Sequence, residues 1–387
     1  MKLLKLPKKK EIIFILVFLI ILTILIFIPT GFEKQIYVNS EGVRGKILSV
    51  DNSGMYKTGL ITQGEQRCEI LIKDGIHKGE QTSGINLLSG KLEYDKVFTP
   101  GDIAWVLLER NANNNIVFAN LIDHYRISKE LILLGVFAII IIAFLGFTGA
   151  RTLLSLSLAF MSIWKILIPS MLNGINPILI ALLVGNCITI TTLLLVAGFS
   201  KKAYCAIAGS VVCSLITCFF AIIFGELFNI NGAIMQWSES LLYAGYENLN
   251  LTAIFQAGIY LACSGAVMDL AIDISAALDE IVRNSPNISK KELIFSGLTI
   301  GKAVVGSQTS TLLLAYMGSY ISVMMVYMAQ GTPMINIFTS KTIASEILHT
   351  FVGCIGLVLV SPLTSLICGF AYKKDIATEP KVDLSNI

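Results

Sequence analysis

Three acidic residues, Asp269, Asp273 and Glu280, are spaced to share one stripe of a helix. With 3.6 residues per turn, their side chains fall within about 40° of one another. Asp269 lies near the end of an apolar stretch, 251–270, that is long enough to cross a bilayer. Because a carboxylate at the bilayer centre costs about 2.5–3.5 kcal/mol, Asp269 and Asp273 predict a site for a cation or a proton. The alternative is a helix that leaves the bilayer near Ala271 and ends in solvent.

A second polar cluster, GSQTST at 306–311, stands inside another apolar segment. Gly301 and Gly306 would allow a break in this helix, so that freed carbonyls and hydroxyls line an ion or substrate site. Gln308 and Thr309 are the predicted ligands, and we expect this segment to face the two aspartates across the bundle. The alternative is ordinary packing, in which small residues let helices approach and Ser or Thr bonds across them.

Glu346 and His349 form a third candidate, because residues three apart lie on one helix face. Histidine titrates near neutrality, so the pair predicts a proton relay with Glu346 as a further ion ligand. The alternative places both side chains at the outer interface. Lys165, inside another apolar segment, is either a counter-ion to one of the carboxylates or a side chain that snorkels to the surface.

Apolar helices must position these residues. The 387 residues are 55% hydrophobic and 14% charged, with a mean hydropathy of +0.75, whereas soluble domains carry about 25% charged residues. We predict an α-helical polytopic membrane protein with about eight transmembrane helices. The apolar segments are 12–28, 130–147, 152–172, 177–199, 203–228, 251–272, 303–328 and 344–371.

Loop charges predict the orientation of these segments. With the amino end inside, the cytoplasmic loops hold most of the loop lysines and arginines, as in other membrane proteins. Both termini are therefore expected in the cytoplasm. Residues 1–29 are predicted to be a basic end and an uncleaved signal-anchor helix, since no A-x-A-like cleavage site follows it. Residues 130–372 would form a seven-helix bundle and residues 373–387 a cytoplasmic tail.

The polar region 30–129 is predicted to lie outside the membrane and to form a small β-barrel, OB-like or SH3-like. Strand-like runs alternate with turn signals, and closure of a barrel would remove the exposed strand edges. The runs are 43–50, 68–73, 79–87, 103–109 and 116–122. Cys68 is the one cysteine of this region, and we expect it to react with reagents from outside.

Several functional classes have no signature in the sequence. No basic face is interleaved with aromatic residues, so nucleic acid is not expected as a partner. No cysteine or histidine spacing fits a disulfide framework or a zinc site, and no Walker A, H-E-x-x-H or G-x-S-x-G pattern occurs. We predict neither catalytic residues nor a cofactor, and leave open whether a metal binds.

Three motifs carry a resemblance to a known family. They are GAVMD at 265–269 with ALDEI at 277–281, GKAVVGSQTSTLLLAY at 301–316, and IASEI at 343–347. In this order they resemble the YibE/F-like family of multipass bacterial membrane proteins, and the resemblance extends from VRGKI at 43–47 through the last segment. It implies an integral protein of the bacterial cytoplasmic membrane, usually interpreted as a transporter. The family pattern has an acid after the basic residue of the second motif, where this chain has Ala303.

The sequence thus favours a permease for a small ion or metabolite that uses intramembrane carboxylates. Besides the lipid bilayer and the transported solute, an envelope protein that binds residues 30–129 is a candidate partner. The alternative function is a non-transporting envelope protein, whose barrel binds a partner and whose helices assemble with other membrane proteins.

Overall fold

The computed structural model describes residues 9–32 and 39–372. The chain divides into two compact units, one made of Met1–Phe32 with Ile142–Ile387 and the other of Glu33–Ile141.

The second unit contains a barrel of five strands, as predicted, with a sixth short strand beside it. The strand order is β1-β5-β6-β4-β3-β2, and the additional pairing of β1 with β3 closes the barrel. The pairing of β4 with β6 is parallel and the others are antiparallel. The strands are β1 (Ser40–Asp51), β2 (Met55–Thr58), β3 (Ile61–Ile72), β4 (Gln81–Ser89), β5 (Ile103–Arg110) and β6 (Ile116–His124).

The barrel core follows from the alternation of side chains along each strand. In β5, Ala104, Val106 and Leu108 point inward and are fully buried. Two fully buried polar side chains, Gln66 and Asn86, share this core, and the Asn86 amide donates to the Gln66 side-chain oxygen (3.1 Å). The Gln66 amide donates to the Phe98 carbonyl (2.9 Å) and accepts from the Phe98 main-chain nitrogen (2.9 Å), so a buried side chain fixes the loop that delivers Phe98 to the core.

Two expectations for the barrel were wrong. Strand β2 and the first half of β3 were not predicted, because residues 55–66 are mostly polar or glycine and show no apolar alternation. Cys68 is buried in the core with 1% exposure, and burial raises the pKa of its thiol to about 11. Cys68 is therefore shielded, and its expected reactivity from outside does not follow.

All eight apolar segments are helical, with bounds that differ from those predicted. The helices are α1 (Lys9–Phe27), α2 (Ile127–Leu145), α3 (Phe147–Ser162), α4 (Ile168–Leu172), α5 (Pro177–Ala197), α6 (Lys201–Leu227), α7 (Ser238–Tyr243), α8 (Leu251–Asn284), α9 (Lys290–Ala329), α10 (Met334–Thr339) and α11 (Lys341–Tyr372). A π-helical turn, Ile163–Leu167, joins α3 to α4.

Among the described residues, six helical segments are long and apolar enough to cross a membrane. They are α2, α5, α6, α8, α11 and the combined segment Phe147–Leu172. Helix α9 would be a seventh, but it bends by 63° between Lys290–Gly318 and Tyr320–Ala329. The first predicted span has an apolar helical part, Ile13–Phe27, that is shorter than these.

Close backbone approach holds the helices of the first unit together. A Cβ added at Gly301 of α9 would collide with the Ser361 hydroxyl of α11, and one at Gly209 of α6 with Thr364. Around these contacts Leu270, Ile274 and other apolar side chains of α8 form the main core with α6, α9 and α11. The same packing places one end of α8, α9 and α11 together, where the candidate site lies.

Candidate functional site

A cavity of about 510 Å³ lies where α8, α9 and α11 meet the segment 234–236. Its volume is within the range of small-molecule sites. We call it the Glu346 cavity, after the acidic residue in its wall. It is lined by Ile234, Met235, Gln236, Phe255, Gly258, Tyr320, Ser322, Val323, Thr342, Ser345, Glu346 and His349.

Glu346 lies in the second turn of α11, on the face that the helix buries. The start of this helix is fixed by Ser340, whose hydroxyl accepts a hydrogen bond from the main-chain nitrogen of Ile343 (3.4 Å). Glu346 is only 5% exposed, and its Oε1 atom is buried with no hydrogen-bond partner among the described residues. Since a buried carboxylate is costly unless it is paired, this side chain has unused capacity for a proton or a cation.

His349 lies one turn further along α11 and is held by two aromatic rings. Its imidazole stacks on Phe255 of α8 (ring centroids 5.2 Å apart) and meets the edge of Tyr316 of α9 (5.7 Å). Its Nε2 atom is buried and, within the described chain, has no hydrogen-bond partner. The structure therefore brings both residues of the predicted proton relay to one cavity, but no direct hydrogen bond joins Glu346 Oε1 to His349 Nε2.

The lining of the cavity suits a positively charged solute. Glu346 supplies a carboxyl group, Phe255 and Tyr320 supply aromatic rings, and Ser345 and Gln236 supply polar groups. Aromatic faces attract cations because the ring carries negative charge density above its plane. The presence of Phe255 and Tyr320 in this wall was not apparent from the sequence, since they lie far from Glu346 along the chain.

The structure places Asp269 and Asp273 away from this cavity, and both side chains are exposed on the surface of the helix bundle. The packed face of α8 is taken by Val267, Leu270 and Ile274, so the acidic stripe points outward. Neither aspartate makes a hydrogen bond or ion pair to Gln308 or Thr309 within the part of the chain that the structure describes. Their role as ligands stays a prediction.

Helix α8 also extends beyond Ala271, where the alternative interpretation has the helix leave the bilayer and end in solvent. It continues to Asn284 and buries Leu278 completely. The carboxylate of Asp279 accepts a hydrogen bond from the Tyr372 hydroxyl (2.8 Å) and pairs with Arg283 (2.8 Å). The last three turns of α8 are therefore packed against α11 rather than being a fully solvated end.

The expected break in α9 is not at Gly301 or Gly306, since the helix is continuous through both. Thr309 donates its hydroxyl to the Val305 carbonyl (2.7 Å), and Thr311 donates to the Ser307 carbonyl (3.0 Å). These hydroxyls form hydrogen bonds within the helix instead of lining a site opened by a break. Gln308 is half-buried, and the bend of α9 lies further on, beyond Gly318.

Lys165 has a partner that neither sequence interpretation included. Its ammonium group donates to the carbonyl of Ile28 (2.9 Å), just after the end of α1. A cation favours this position because the carbonyls at a helix carboxyl end are unsatisfied and carry partial negative charge. Lys165 thus ties the π-helical turn to α1 and forms no ion pair with Asp269 or Asp273 in the described chain.

Hydroxyl groups of α5, α6 and α8 form a buried polar cluster that sequence reasoning missed. Six hydroxyl side chains surround a void of about 10 Å³. In the sequence, each stands as an isolated hydroxyl residue within an apolar helix. The signal was the spacing of Ser210, Ser214 and Thr217, which repeats along one face of α6. The hydroxyl residues are Thr189, Ser210, Ser214, Thr217, Tyr260 and Ser264.

The described residues hold no group of three His, Cys, Asp or Glu side chains that could bind one metal ion together. Any cation in the Glu346 cavity would therefore rely on one carboxyl group, neutral oxygens and aromatic rings.

Comparison with known proteins identifies the family. Residues 133–374 match the model of the YibE/F-like protein family, and the match covers more than half of the chain. The chain therefore belongs to the YibE/F-like family. The matched region contains the helices of the Glu346 cavity, whereas the barrel strands lie before it. No match was found to a curated protein or to a solved structure.

Proposed function

We propose that this member of the YibE/F-like family is a permease of the bacterial cytoplasmic membrane that binds a small cation in the Glu346 cavity. The observation that carries the proposal is the buried Glu346 carboxyl with an unpartnered oxygen in the wall of a 510 Å³ cavity. Intramembrane carboxyl groups are costly and typically mark ion or proton pathways. Six apolar helices of spanning length support the membrane location.

The packing supports the predicted orientation. Arg283, Lys201 and Lys290 collect at one end of the bundle, where Lys201 and Lys290 lie over the rings of Tyr372 (5.9 Å) and Phe370 (3.5 Å). By the positive-inside rule this end faces the cytoplasm. The cavity lies toward the opposite ends of α8, α9 and α11, so it would open to the outside.

A cation and a proton would compete for Glu346. When no cation is bound, protonation of Glu346 removes the cost of a buried charge. Cation binding requires the carboxylate, so a proton leaves Glu346 as the cation arrives. This exchange would couple movement of the cation to movement of a proton, and it needs neither a cofactor nor a catalytic residue.

The exposed acidic stripe of α8 favours a second candidate function. Asp269 and Asp273 face outward at a depth where lipid would surround them, and no cationic group of the described chain pairs with them. A partner membrane protein that brings a basic residue to this stripe would offset the energetic cost of two carboxylates in lipid. The chain would then be an assembly protein without transport, with its barrel as a docking module.

We propose that the barrel is of the OB type, because it contains a single parallel strand pair.

Ligand-induced thermal stabilisation of the purified protein tests the leading proposal. The panel is Na⁺, K⁺, Mg²⁺, Mn²⁺, tetramethylammonium and spermidine. We expect at least one cation to raise the melting temperature of the wild type, less so at lower pH because protons compete. The substitution Glu346→Gln keeps the shape of the side chain, removes its charge, and should abolish the shift.

The matched control is the double substitution Asp269→Asn/Asp273→Asn, which removes two exposed carboxylates from the same bundle. It should retain the stabilisation seen in the wild type. If the double variant loses the shift and Glu346→Gln keeps it, the cation site is at α8 and the cavity proposal is wrong.

A further inference from the structure

The barrel unit contains a groove of about 680 Å³, where β1, the start of β5 and the end of β6 meet the first turn of α2. We call it the basic groove, because four cationic side chains line it against one carboxylate. It is lined by Arg44, Lys73, Lys78, Gly101, Asp102, Ile103, His124, Tyr125, Ser128 and Lys129.

Two of its charged residues are already engaged. The Arg44 guanidinium donates to the Asp74 carboxylate (2.6 Å), which also accepts from the Arg44 main-chain nitrogen (2.6 Å). Asp102 accepts hydrogen bonds from the main-chain nitrogen and hydroxyl of Thr99. Hydrogen bonds from Thr99, with a smaller contribution from the charges of His124 and Lys129, lower the pKa of Asp102 against the opposing effect of burial, so this group is ionised at neutral pH.

Three lysines of the groove remain without a fixed counter-ion. Lys73, Lys78 and Lys129 are exposed and form no salt bridge among the residues that the structure describes. With Arg44 they set four positive charges against the carboxylates of Asp74 and Asp102. The groove therefore carries an excess of two positive charges, which matches an anion of charge minus one or minus two.

The start of α2 adds the positive end of a helix dipole to the same place. Ser128 lies in its first turn, where the main-chain nitrogens of Lys129 and Glu130 donate to the Arg126 carbonyl (2.9 and 3.0 Å). Such a helix end favours phosphate oxygens, and lysine ammonium groups favour them as well. The helix end beside the three lysines distinguishes this groove from an isolated patch of surface lysines.

We propose that the basic groove binds a phosphate-bearing anion, with the phosphate held by Lys73, Lys78, Lys129 and the first turn of α2. Two sources share this chemistry, an anionic lipid headgroup and a free phosphate compound. Helix α2 is itself a candidate membrane span and begins at the groove, so the phosphates of the surrounding lipid would lie at this level. We therefore favour the headgroup, which would hold the barrel at the membrane surface.

Calorimetric titration of the full-length protein in a neutral detergent and a phosphate-free buffer tests this proposal. One arm uses inorganic phosphate and the other a short-chain phosphatidic acid below its micellar concentration. We expect both to bind, with the lipid binding more tightly because its glycerol and acyl parts also contact the groove. Equal affinities would assign the groove to free phosphate, and no binding in either arm would overturn the proposal.

Charge variants locate the site. Lys73→Gln/Lys78→Gln/Lys129→Gln should weaken binding about tenfold or more, which corresponds to about 1.4 kcal/mol or more. The control, Lys57→Gln/Lys91→Gln/Lys96→Gln, removes the same charge from barrel lysines outside the groove and should bind like the wild type. Replacing the three groove lysines with arginine keeps the charge and should preserve binding. Equal losses of affinity in the two glutamine variants would show that net charge alone controls binding. That result would overturn the proposed site.

Discussion

The carboxylate of Asp102 fixes a turn of the barrel, because it accepts hydrogen bonds from the main-chain nitrogen (2.8 Å) and hydroxyl (2.9 Å) of Thr99. We expect Asp102→Ala to destabilise this turn by about 1 kcal/mol, a modest value since the group is partly exposed. Hydrogen exchange of the amides at 99–103 should then be about fivefold faster than in the wild type.

This contribution of Asp102 has a defined pH range. The pKa of the folded group lies below its ordinary value of 3.8, so the stabilisation is complete above that value and is lost as the pH falls through the folded pKa. The exchange ratio between variant and wild type should therefore decline toward one in stronger acid. A ratio that stays constant across the acidic range would contradict a role for the ionised carboxylate.

For single residues, the sequence predicts which side chains share a helix face but not the direction in which that face points. The spacing of Glu346 and His349 correctly predicted a shared helix face, since that depends only on helical periodicity. The same periodicity grouped Asp269 with Asp273 but could not tell which way their stripe faces. That direction depends on neighbours such as Leu270 and Ile274, which pack against other helices, and on partners far away in sequence.

At the scale of elements, the contact between α9 and α11 depends on one glycine. A Cβ at Gly301 would collide with the hydroxyl of the buried Ser361 and lie 2.7 Å from its Cβ atom. We therefore expect Gly301→Ala to lower the melting temperature of the purified protein, as overpacking costs about 1–3 kcal/mol. The double variant Gly301→Ala/Ser361→Gly should recover much of the loss.

Gly306 provides the matched control in the same helix. A Cβ added there meets no atom within 4 Å, so Gly306→Ala should leave stability unchanged or raise it by the higher helix propensity of alanine, about 1 kcal/mol. Equal destabilisation by the two substitutions would mean that helix flexibility, rather than close packing at Gly301, controls this region.

The elements themselves were largely predictable, because hydropathy and alternation are local properties. Five strands and all the apolar helices were found where the sequence indicated. Strand β2 was missed because its residues are mostly polar, and the packing of the last turns of α8 was missed because it depends on α11. The bend beyond Gly318 had no distinct signal among several glycines of the same helix.

At the scale of the whole molecule, the proposed topology can be tested with single cysteines. Lys57→Cys in the barrel should react with a membrane-impermeant maleimide in intact cells, whereas Asn284→Cys at the end of α8 should react only after permeabilisation. Both positions are exposed. The parent protein controls for native thiols, of which Cys68 should stay unlabelled because it is buried. Labelling of both new cysteines from the same side would contradict the topology.

Cation transport by the Glu346 cavity can be measured as flux in proteoliposomes. Uptake of the panel cation that stabilises the wild type best would be compared for the wild type, Glu346→Gln and Asp269→Asn/Asp273→Asn. We predict flux above that of protein-free liposomes in the wild type and in the double variant, and none in Glu346→Gln. Absence of flux in the wild type despite binding would rule out a permease, and full flux in Glu346→Gln would rule out Glu346 as the cation ligand.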